Sequence, residues 1–345
     1  MSPDTDVDEF APLRIARVVR ETPDAVSLVL DVPECWSQRF RYQAGQFLTL
    51  RVTVDGEDLR RCYSMSSAPI EEELRITVKR DRTGVVSNWL NDVAAEGDQL
   101  FAAPPAGRFV LGESDPDGAD LVVYAGGSGI TPIMSLVRTA LAGTSRRVRL
   151  FYANRGRDSV IFSAALVQLA EQHADRLAVT HHFDEDGGVV TRGAVESFAN
   201  SSSAGEHYVC GPAPFMATVE DALSSAGVAK SRVHLERFTV PEITANVVED
   251  AANEVTEQVV IELDRKTTVA SYRWGDTLLQ TARMAGLRAP ASCETGSCGT
   301  CMARIVEGGA WMNNNDALDD DEVDEGWVLT CQSVPTGKKV RVVYD

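Results

Sequence analysis

Short runs of β-branched and apolar residues, separated by turn-forming residues, fill the first part of the chain. Between residues 13 and 103 this pattern predicts six strands and one helix, the helix at residues 86–93. The predicted strands span residues 14–20, 26–32, 46–54, 59–66, 74–79 and 99–102. Short strands at this spacing indicate an antiparallel β-barrel or sandwich.

From residue 120 the pattern changes to apolar strands that alternate with helical stretches. Such alternation predicts a parallel sheet covered by helices. The predicted strands span residues 121–125, 148–152, 177–182, 207–210 and 232–235, and the predicted helices residues 132–141, 160–172 and 214–226.

A polar and acidic stretch that contains Pro241 then breaks the periodicity and is interpreted as a linker. The third unit that follows shows a hairpin, a helix and three further strands. These elements are predicted at residues 259–263, 267–272, 277–285, 302–306, 327–330 and 340–343. We therefore divide the chain into a β-barrel domain at 10–112, an α/β domain at 113–238, a linker at 239–256 and a C-terminal domain at 257–345.

The charge balance makes nucleic acids and anionic membrane surfaces poor partners. The 345 residues include 33 Lys and Arg against 51 Asp and Glu, a formal net charge of -18, so phosphate groups would be repelled. No apolar stretch approaches the roughly 20 residues of a membrane span, and residues 1–9 lack the features of a signal peptide. A cytoplasmic protein with reduced thiols is expected.

Four of the seven cysteines are spaced as C-x4-C-x2-C-x29-C near the C-terminus. They are Cys293, Cys298, Cys301 and Cys331. The pattern C-x4-C-x2-C…C is that of plant-type [2Fe-2S] ferredoxins, and glycines between the cysteines let a loop curl closely around a cluster. A structural zinc site or four unrelated buried thiols are the alternatives, although zinc ribbons usually contain two C-x2-C pairs and this chain has one.

A flavin site is indicated by two short motifs in the predicted barrel. Arg61, Tyr63 and Ser64 follow one another on a predicted strand, where a Tyr offers an apolar plane for an isoalloxazine ring and an Arg a forked cation for phosphate. Gly84, Val85, Val86 and Ser87 open the predicted helix, whose first N–H groups suit an anion. A surface Arg, a half-buried Tyr and an ordinary helix cap explain the same residues equally well.

A glycine-rich turn joins the first strand and helix of the α/β domain. Its sequence does not fit the G-x-G-x-x-G fingerprint or the G-x-S-x-G elbow of serine hydrolases. Glycines at this place let a pyrophosphate approach a helix N-terminus. The turn consists of Gly126, Gly127, Ser128, Gly129, Ile130, Thr131 and Pro132, and a second candidate motif, Cys210, Gly211 and Pro212, ends a later predicted strand.

Taken together, these motifs resemble the ferredoxin–NADP reductase superfamily, and the C-terminal domain resembles a plant-type ferredoxin with a β-grasp fold. The resemblance implies that Arg61, Tyr63 and Ser64 hold the isoalloxazine and pyrophosphate of FAD. It further implies that Val78 and Lys79 line that cofactor and that residues 84–87 bind its pyrophosphate. The turn at 126–132 would bind the nicotinamide nucleotide, with Thr131 near the flavin and Cys210 near the nicotinamide as the catalytic positions.

The adenosine end of the nucleotide is expected after the second strand of the α/β domain. Asn154 and Arg155 are the candidate contacts there. Arg155 and Arg157 could bind a 2′-phosphate, but Asp158 could oppose it, and the likeness to oxygenase reductases favours NADH. The same resemblance places Phe238, at the end of the domain, near the flavin.

These modules predict an NADH-dependent reductase that passes electrons from NADH to FAD, then to the [2Fe-2S] cluster and on to an external oxygenase. No general base is required, because the cofactors carry the chemistry. Residues 104–109, 121–136 and 324–333 look most like the reductases of 3-ketosteroid 9α-hydroxylases, whose partner would be a Rieske-type oxygenase. Reductases of phenylacetyl-CoA epoxidase and of alkane or acyl desaturases are the alternatives, and a redox-sensing regulator without enzymatic activity is a further one.

The C-terminal domain also carries a run of seven acids between residues 316 and 325. One interpretation is a solvated face, which is the ordinary role of such runs. The other is a docking surface that steers a basic partner.

Overall fold

The computed structural model describes residues 10–112, 119–199, 205–238 and 256–344. Contacts between residues divide the chain into two compact units, Met1–Arg237 and Phe238–Asp345. The predicted linker at 239–256 lies outside the described residues except for Thr256, which is buried in the second unit and donates a hydrogen bond to the Gly337 carbonyl (2.6 Å).

The first part of unit 1 is a closed antiparallel sheet. In sheet order its strands are β4 (Glu57–Ser64), β3 (Phe47–Val54), β6 (Gln99–Ala102), β1 (Ala11–Thr22), β2 (Ala25–Asp31) and β5 (Leu74–Lys79). Met65, just after β4, bridges to Ile76 of β5, so the two edges meet and the sheet forms a barrel. Alternating residues such as Leu13, Leu28 and Leu48 fill its interior, and helix α1 (Val85–Asp92) packs against them.

The second part of unit 1 is a five-stranded parallel sheet between helices. In sheet order its strands are β11 (Val233–Glu236), β10 (Glu206–Cys210), β7 (Leu121–Gly126), β8 (Val148–Asn154) and β9 (Leu177–Phe183). The helices are α2 (Ile130–Gly143), α3 (Ser163–Gln172), α4 (Asp184–Gly187), α5 (Arg192–Ala199) and α6 (Ala213–Ser225).

Alternation along β7 shows why helices cover both faces of this sheet. Leu121 and Val123 pack with α2 and α3, whereas Val122 and Tyr124 pack with α5 and α6. Helices α4 and α5 were missing from the sequence prediction. Both are short, and the apolar side of α5 consists of Val195, Phe198 and Ala199, too few positions to establish a helical period.

A tight seam joins the barrel to the α/β domain within unit 1. The buried Ser135 hydroxyl of α2 donates to the Ser67 carbonyl (2.6 Å), and the Tyr208 hydroxyl of β10 donates to the Val110 carbonyl (2.9 Å). Phe109 packs in the same apolar core as the α2 side of the parallel sheet. The two domains therefore share a core.

Unit 2 is a mixed five-stranded sheet with a helix across it, the β-grasp arrangement expected from the sequence. In sheet order its strands are β13 (Lys266–Ser271), β12 (Gln258–Leu263), β16 (Ser333–Val343), β14 (Met302–Met312) and β15 (Trp327–Leu329). Strands β12 and β16 run parallel, and the other neighbours run antiparallel. Helix α7 (Leu278–Met284) packs Leu278 and Ala282 against the sheet, and α8 (Asp320–Asp324) precedes β15.

Strands β14 and β16 are longer than the sequence predicted. Their pairing continues through register shifts around Glu307, where Gly308 has φ 79°. A side chain at Gly308 would place its Cβ 2.4 Å from the Lys339 carbonyl oxygen, so the bulge depends on glycine. Among the described residues, no helix has both the length and the apolar character needed to cross a membrane.

Candidate cofactor sites

A cavity of about 450 Å³ in unit 1 lies at the carboxyl ends of the parallel strands, where open α/β sheets bind ligands. Its walls come from the end of β5, the turn after β7, the end of β8 and the loop after β10. Seven of the residues predicted to bind cofactors line it. They are Lys79, Gly126, Gly127, Ser128, Asn154, Arg155 and Pro212.

The two motifs predicted separately in the α/β domain are in direct contact. A Cβ on Gly129 would lie 2.1 Å from the Cys210 carbonyl oxygen, and a Cβ on Gly211 would lie 3.0 Å from the Gly126 backbone. Only glycines allow the turn after β7 to pack this closely on the end of β10. The structure thus brings the two motifs together, and both contribute residues to the wall of the cavity.

The two predicted catalytic side chains lie beneath the cavity surface. Thr131 is 2% exposed and its hydroxyl donates to the Ser128 carbonyl (3.1 Å). Cys210 is fully buried at the end of β10, and Pro132 is buried in the first turn of α2. The Thr131 side chain therefore stabilises the turn after β7, and Cys210 contacts that turn through its backbone carbonyl.

At the far side of the cavity, Asn154 ends β8. Within the described part of the chain, neither atom of its buried side-chain amide makes a hydrogen bond of good geometry. Buried polar groups are normally hydrogen-bonded, so an amide that faces a cavity without such bonds suits a polar ligand. The neighbouring Arg155 is exposed and lines the same cavity.

Arg157 is held in a fork of two carboxylates that sequence reasoning did not find. Its guanidinium contacts Glu185 (2.7 Å) and Asp186 (2.8 Å), which together raise the pKa of Arg157. The acids of α4 follow β9, which is the neighbour of β8 in the sheet. The carboxyl ends of adjacent parallel strands lie side by side, and this rule was the available signal for placing these acids near Arg157. The sequence analysis instead considered Asp158, the next residue in the chain, as the acid near the adenosine end.

On the barrel, strand β4 carries the predicted flavin residues. Register pairs Tyr63 with Leu48 and Arg61 with Leu50 of β3, so Arg61 and Tyr63 share one face. Arg61 is exposed, with Nη1 bonded to the Arg60 carbonyl (2.7 Å), while burial raises the pKa of Tyr63 well above its usual value. The buried Ser64 hydroxyl has no hydrogen-bond partner in the described ranges.

Helix α1 begins at the predicted pyrophosphate motif. Gly84 is its N-cap, no side chain caps the helix, and the first backbone N–H groups, from Val85 to Ser87, have no partner within the helix. The Ser87 hydroxyl accepts from the Asp81 N–H (3.1 Å) and donates to the Gly84 carbonyl (3.2 Å), so it fixes the loop. The turn therefore offers backbone donors.

Val78 and Lys79, at the end of β5, lie in different environments. Val78 is fully buried in the barrel, and its carbonyl accepts a hydrogen bond from Asn91 (3.2 Å). The Lys79 ammonium lines the cavity, 3.7 Å from Asp24. Phe238 is 40% exposed at the first position of unit 2, and its role near the flavin stays a prediction.

In unit 2 the four cysteine thiols form two pairs. Cys293 lies beside Cys298, and Cys301 beside Cys331, close enough for each thiol to affect the pKa of its neighbour. Cys293 also acts electrostatically on the second pair, so the pairs are neighbours. The neighbouring thiol and burial both raise the pKa of Cys298 and Cys331, so binding of metal must release these protons and is favoured as pH rises.

Tight turns and hydrogen bonds shape the cysteine loop, residues 293–301. Gly296 and Gly299 have φ 88° and 76°, and a Cβ on Gly296 would lie 2.8 Å from the Asn314 carbonyl oxygen. Backbone N–H groups of Thr295 and Thr300 point at the sulfurs of Cys293 and Cys298, each at 3.4 Å.

These features fit the donor set of a [2Fe-2S] cluster, in which each iron takes two thiolates and backbone N–H groups offset the negative charge. A zinc ion would need its ligands gathered around one point. Among the described residues, no three His, Cys, Asp or Glu side chains are so arranged.

The acidic run at 316–325 is partly used by the fold itself. Asp319 caps helix α8 by accepting from the Glu322 N–H (2.8 Å), and the Glu322 carboxylate accepts from the Asp319 N–H (3.0 Å). Acids at a helix N-terminus also interact favourably with the helix dipole. This accounts for part of the run, and a docking role for it stays a prediction.

Three family models match consecutive parts of the chain. An oxidoreductase FAD-binding domain matches residues 12–111, an oxidoreductase NAD-binding domain residues 123–221, and a 2Fe-2S iron-sulfur cluster binding domain residues 261–336. The cofactor classes and the fold class expected from the sequence are thereby confirmed.

Relatives that match over nearly the whole chain indicate the family more narrowly than the three domain models do. The ferredoxin reductase component of 3-ketosteroid-9-alpha-monooxygenase from Mycobacterium tuberculosis is 40% identical over 98% of this chain and 97% of its own. A component of the 1,2-phenylacetyl-CoA epoxidase from Escherichia coli is 30% identical over 97% of this chain and 98% of its own. The solved structure of phthalate dioxygenase reductase is 28% identical, with a TM-score of 0.65 and full coverage of both chains.

The fold, the family models and these relatives define an NADH-dependent oxidoreductase with FAD-, NAD- and [2Fe-2S]-binding domains. Within that class, the chain belongs to the family of reductase components of multicomponent monooxygenases.

Proposed function

We propose that this chain supplies electrons to a Rieske-type terminal oxygenase that 9α-hydroxylates 3-ketosteroids in steroid degradation, and that it does so in the cytoplasm. The identity of 40% to the mycobacterial reductase, against 30% to the epoxidase component, favours this partner. The epoxidase likeness makes the reductase of another oxygenase the second candidate.

The observation that carries the electron route is the meeting of the two nucleotide motifs beside a barrel lysine. When bound, NADH supplies a hydride, FAD takes two electrons and gives them up singly, and the cluster carries one. Gly126, Gly127 and Ser128 of the turn and Pro212 after β10 line the cavity, and Lys79 forms part of its wall. We assign the nicotinamide nucleotide to this cavity, with Asn154 and Arg155 at its adenosine end.

The proposal extends to the remaining site residues. On the barrel, Arg61, Tyr63 and Ser64 hold FAD, and the N–H groups at the start of α1 bind its pyrophosphate. Cys293 with Cys298 holds one iron of the cluster and Cys301 with Cys331 the other, as the pairing of the thiols supports.

Reconstitution tests the function directly. The purified protein, NADH and a 3-ketosteroid 9α-oxygenase should together form the hydroxylated steroid in step with NADH oxidation. Replacing that oxygenase by the oxygenase part of a phenylacetyl-CoA epoxidase should give little product. Efficient coupling to the epoxidase and none to the steroid enzyme would overturn the partner assignment while leaving the electron route intact.

The exposed Arg61 provides a test of the flavin site. Arg61→Ala should weaken FAD binding about 10- to 100-fold, because a charge-assisted hydrogen bond is worth about 1.5–3 kcal/mol. Fluorescence titration of the apoprotein with FAD measures the change. Arg14→Ala removes an exposed barrel arginine paired with Asp31 on β2 and is the matched control. Equal FAD affinity in the two variants would contradict the assignment.

The carboxylate fork around Arg157 should exclude NADPH. We expect Glu185→Gln/Asp186→Asn to lower the KM for NADPH about tenfold, because the freed guanidinium can pair with a 2′-phosphate. The KM for NADH should change little. Glu196→Gln/Asp221→Asn frees Arg192 from a similar exposed fork and serves as the control. An unchanged NADPH to NADH ratio in the first variant would remove the fork from nucleotide selection.

A further inference from the structure

The cysteine loop contains a backbone conformation that its sequence does not favour. Glu294, directly after Cys293, has φ 57°. This left-handed region is costly for residues other than glycine unless the surroundings hold it. The loop therefore needs contacts that fix Glu294.

Two side chains from other elements supply such contacts. Arg283, in the last turn of α7, forms a two-bond fork with the Glu294 carboxylate, at 2.7 and 3.0 Å. Gln332, which follows Cys331 and is 3% exposed, donates to the Glu294 carbonyl (2.7 Å). Glu294 is thus tied to a helix through its side chain and to the segment of the fourth cysteine through its backbone.

The conformation of Glu294 determines where the next N–H points. The Thr295 N–H donates to the Cys293 sulfur (3.4 Å). Hydrogen bonds to cluster sulfurs stabilise the more negative, reduced state and so raise the reduction potential. A change in the conformation of Glu294 would therefore alter the hydrogen bond to the sulfur of Cys293, the first proposed iron ligand.

We propose that Arg283 and Glu294 form a latch that holds the Thr295 N–H on the Cys293 sulfur and thereby raises the reduction potential of the cluster. The inference rests on the proposed ligand set. Arg283 and Glu294 are positioning residues, because they act on the cluster through the backbone of Thr295.

The two charges also act directly on the cluster site, since Arg283 interacts electrostatically with Cys331. The side chains of Arg283 and Glu294 are 42% and 34% exposed, so solvent screens their fields. The two mechanisms predict the same sign for loss of Arg283 and opposite signs for loss of Glu294, so Glu294→Gln is the variant that separates them. Loss of the positive charge alone would lower the potential and loss of the negative charge alone would raise it, whereas loss of either latch partner lowers it.

The test is a redox titration of the whole protein, with the reduced cluster followed by electron paramagnetic resonance. Arg283→Gln and Glu294→Gln should each shift the equilibrium constant for cluster reduction about tenfold towards the oxidised state, about 59 mV for one electron. The double variant should shift no further than either single one, because the latch is already broken.

Arg341→Gln is the matched control. Arg341 pairs with Glu262 at 2.8 Å, with exposed fractions of 43% and 31%, but joins β16 to β12. Its potential should equal that of the wild type. Opposite shifts in the two single variants, or shifts no larger than in Arg341→Gln, would overturn the latch and leave the ligand set standing. A wild-type protein that shows no cluster signal after anaerobic reconstitution would overturn both.

Discussion

Replacing Cys298 by Ser should abolish electron transfer to cytochrome c and spare electron transfer to ferricyanide. Cys298 is paired with Cys293 and is the only one of the four thiols that is not fully buried. Loss of an iron ligand should lower the affinity for the cluster by at least about 100-fold, since changes beyond the direct ligands already cost 10–100-fold. The flavin, in the other unit, should still reduce ferricyanide.

Iron content and the two steady-state activities measure this result. Cys35→Ser is the control, because Cys35 is exposed in the barrel domain and outside the cysteine loop. It should retain its iron and both activities. If Cys298→Ser kept cytochrome c reduction at the level of Cys35→Ser, the cluster would not lie on the route to the acceptor.

The second large effect is expected from Gly129→Ala. The added Cβ would lie 2.1 Å from the Cys210 carbonyl oxygen, so the turn after β7 must move away from the end of β10. A displacement of about 1 Å in a site that positions reactants can cost about 100-fold. We expect a loss of this order in the rate constant for flavin reduction by NADH in stopped-flow experiments.

Gly143→Ala separates this effect from a general effect of alanine. Gly143 ends α2, and its added Cβ would meet no atom within 4 Å. This variant should reduce its flavin at the normal rate. Retention of FAD in Gly129→Ala, seen in its absorbance spectrum, would show that the barrel is intact. A normal reduction rate in that folded variant would place the nicotinamide elsewhere.

The sequence predicted the three sheets because alternation and apolar runs are local properties of a chain. Strand β5 was predicted with its observed bounds, and β6 likewise. The extension of β14 depends on the bulge at Gly308, which forms only against Lys339 of β16. Non-local pairing of this kind leaves no periodic pattern in either segment.

The candidate cofactor sites show the same difference between local patterns, which the sequence reveals, and non-local contacts, which it does not. The motif at Gly126–Gly129 was recognisable because a glycine turn between a strand and a helix has a local physical reason. The contact of Gly129 with Cys210 and the fork around Arg157 join segments that are far apart in sequence. The link from Arg283 to Glu294 spans only 11 positions, but neither residue type is distinctive by itself, so the sequence did not reveal it.

The seam between Ser135 and Ser67 has a consequence for how such proteins can be recombined. A nucleotide domain grafted from a relative onto this barrel would have to bring matching partners for Ser67 and Val110, since both accept hydrogen bonds across the seam. Unit 2 keeps a separate apolar core of its own. Exchange of whole modules between reductases is therefore easier at the iron–sulfur end than between the two nucleotide-binding halves.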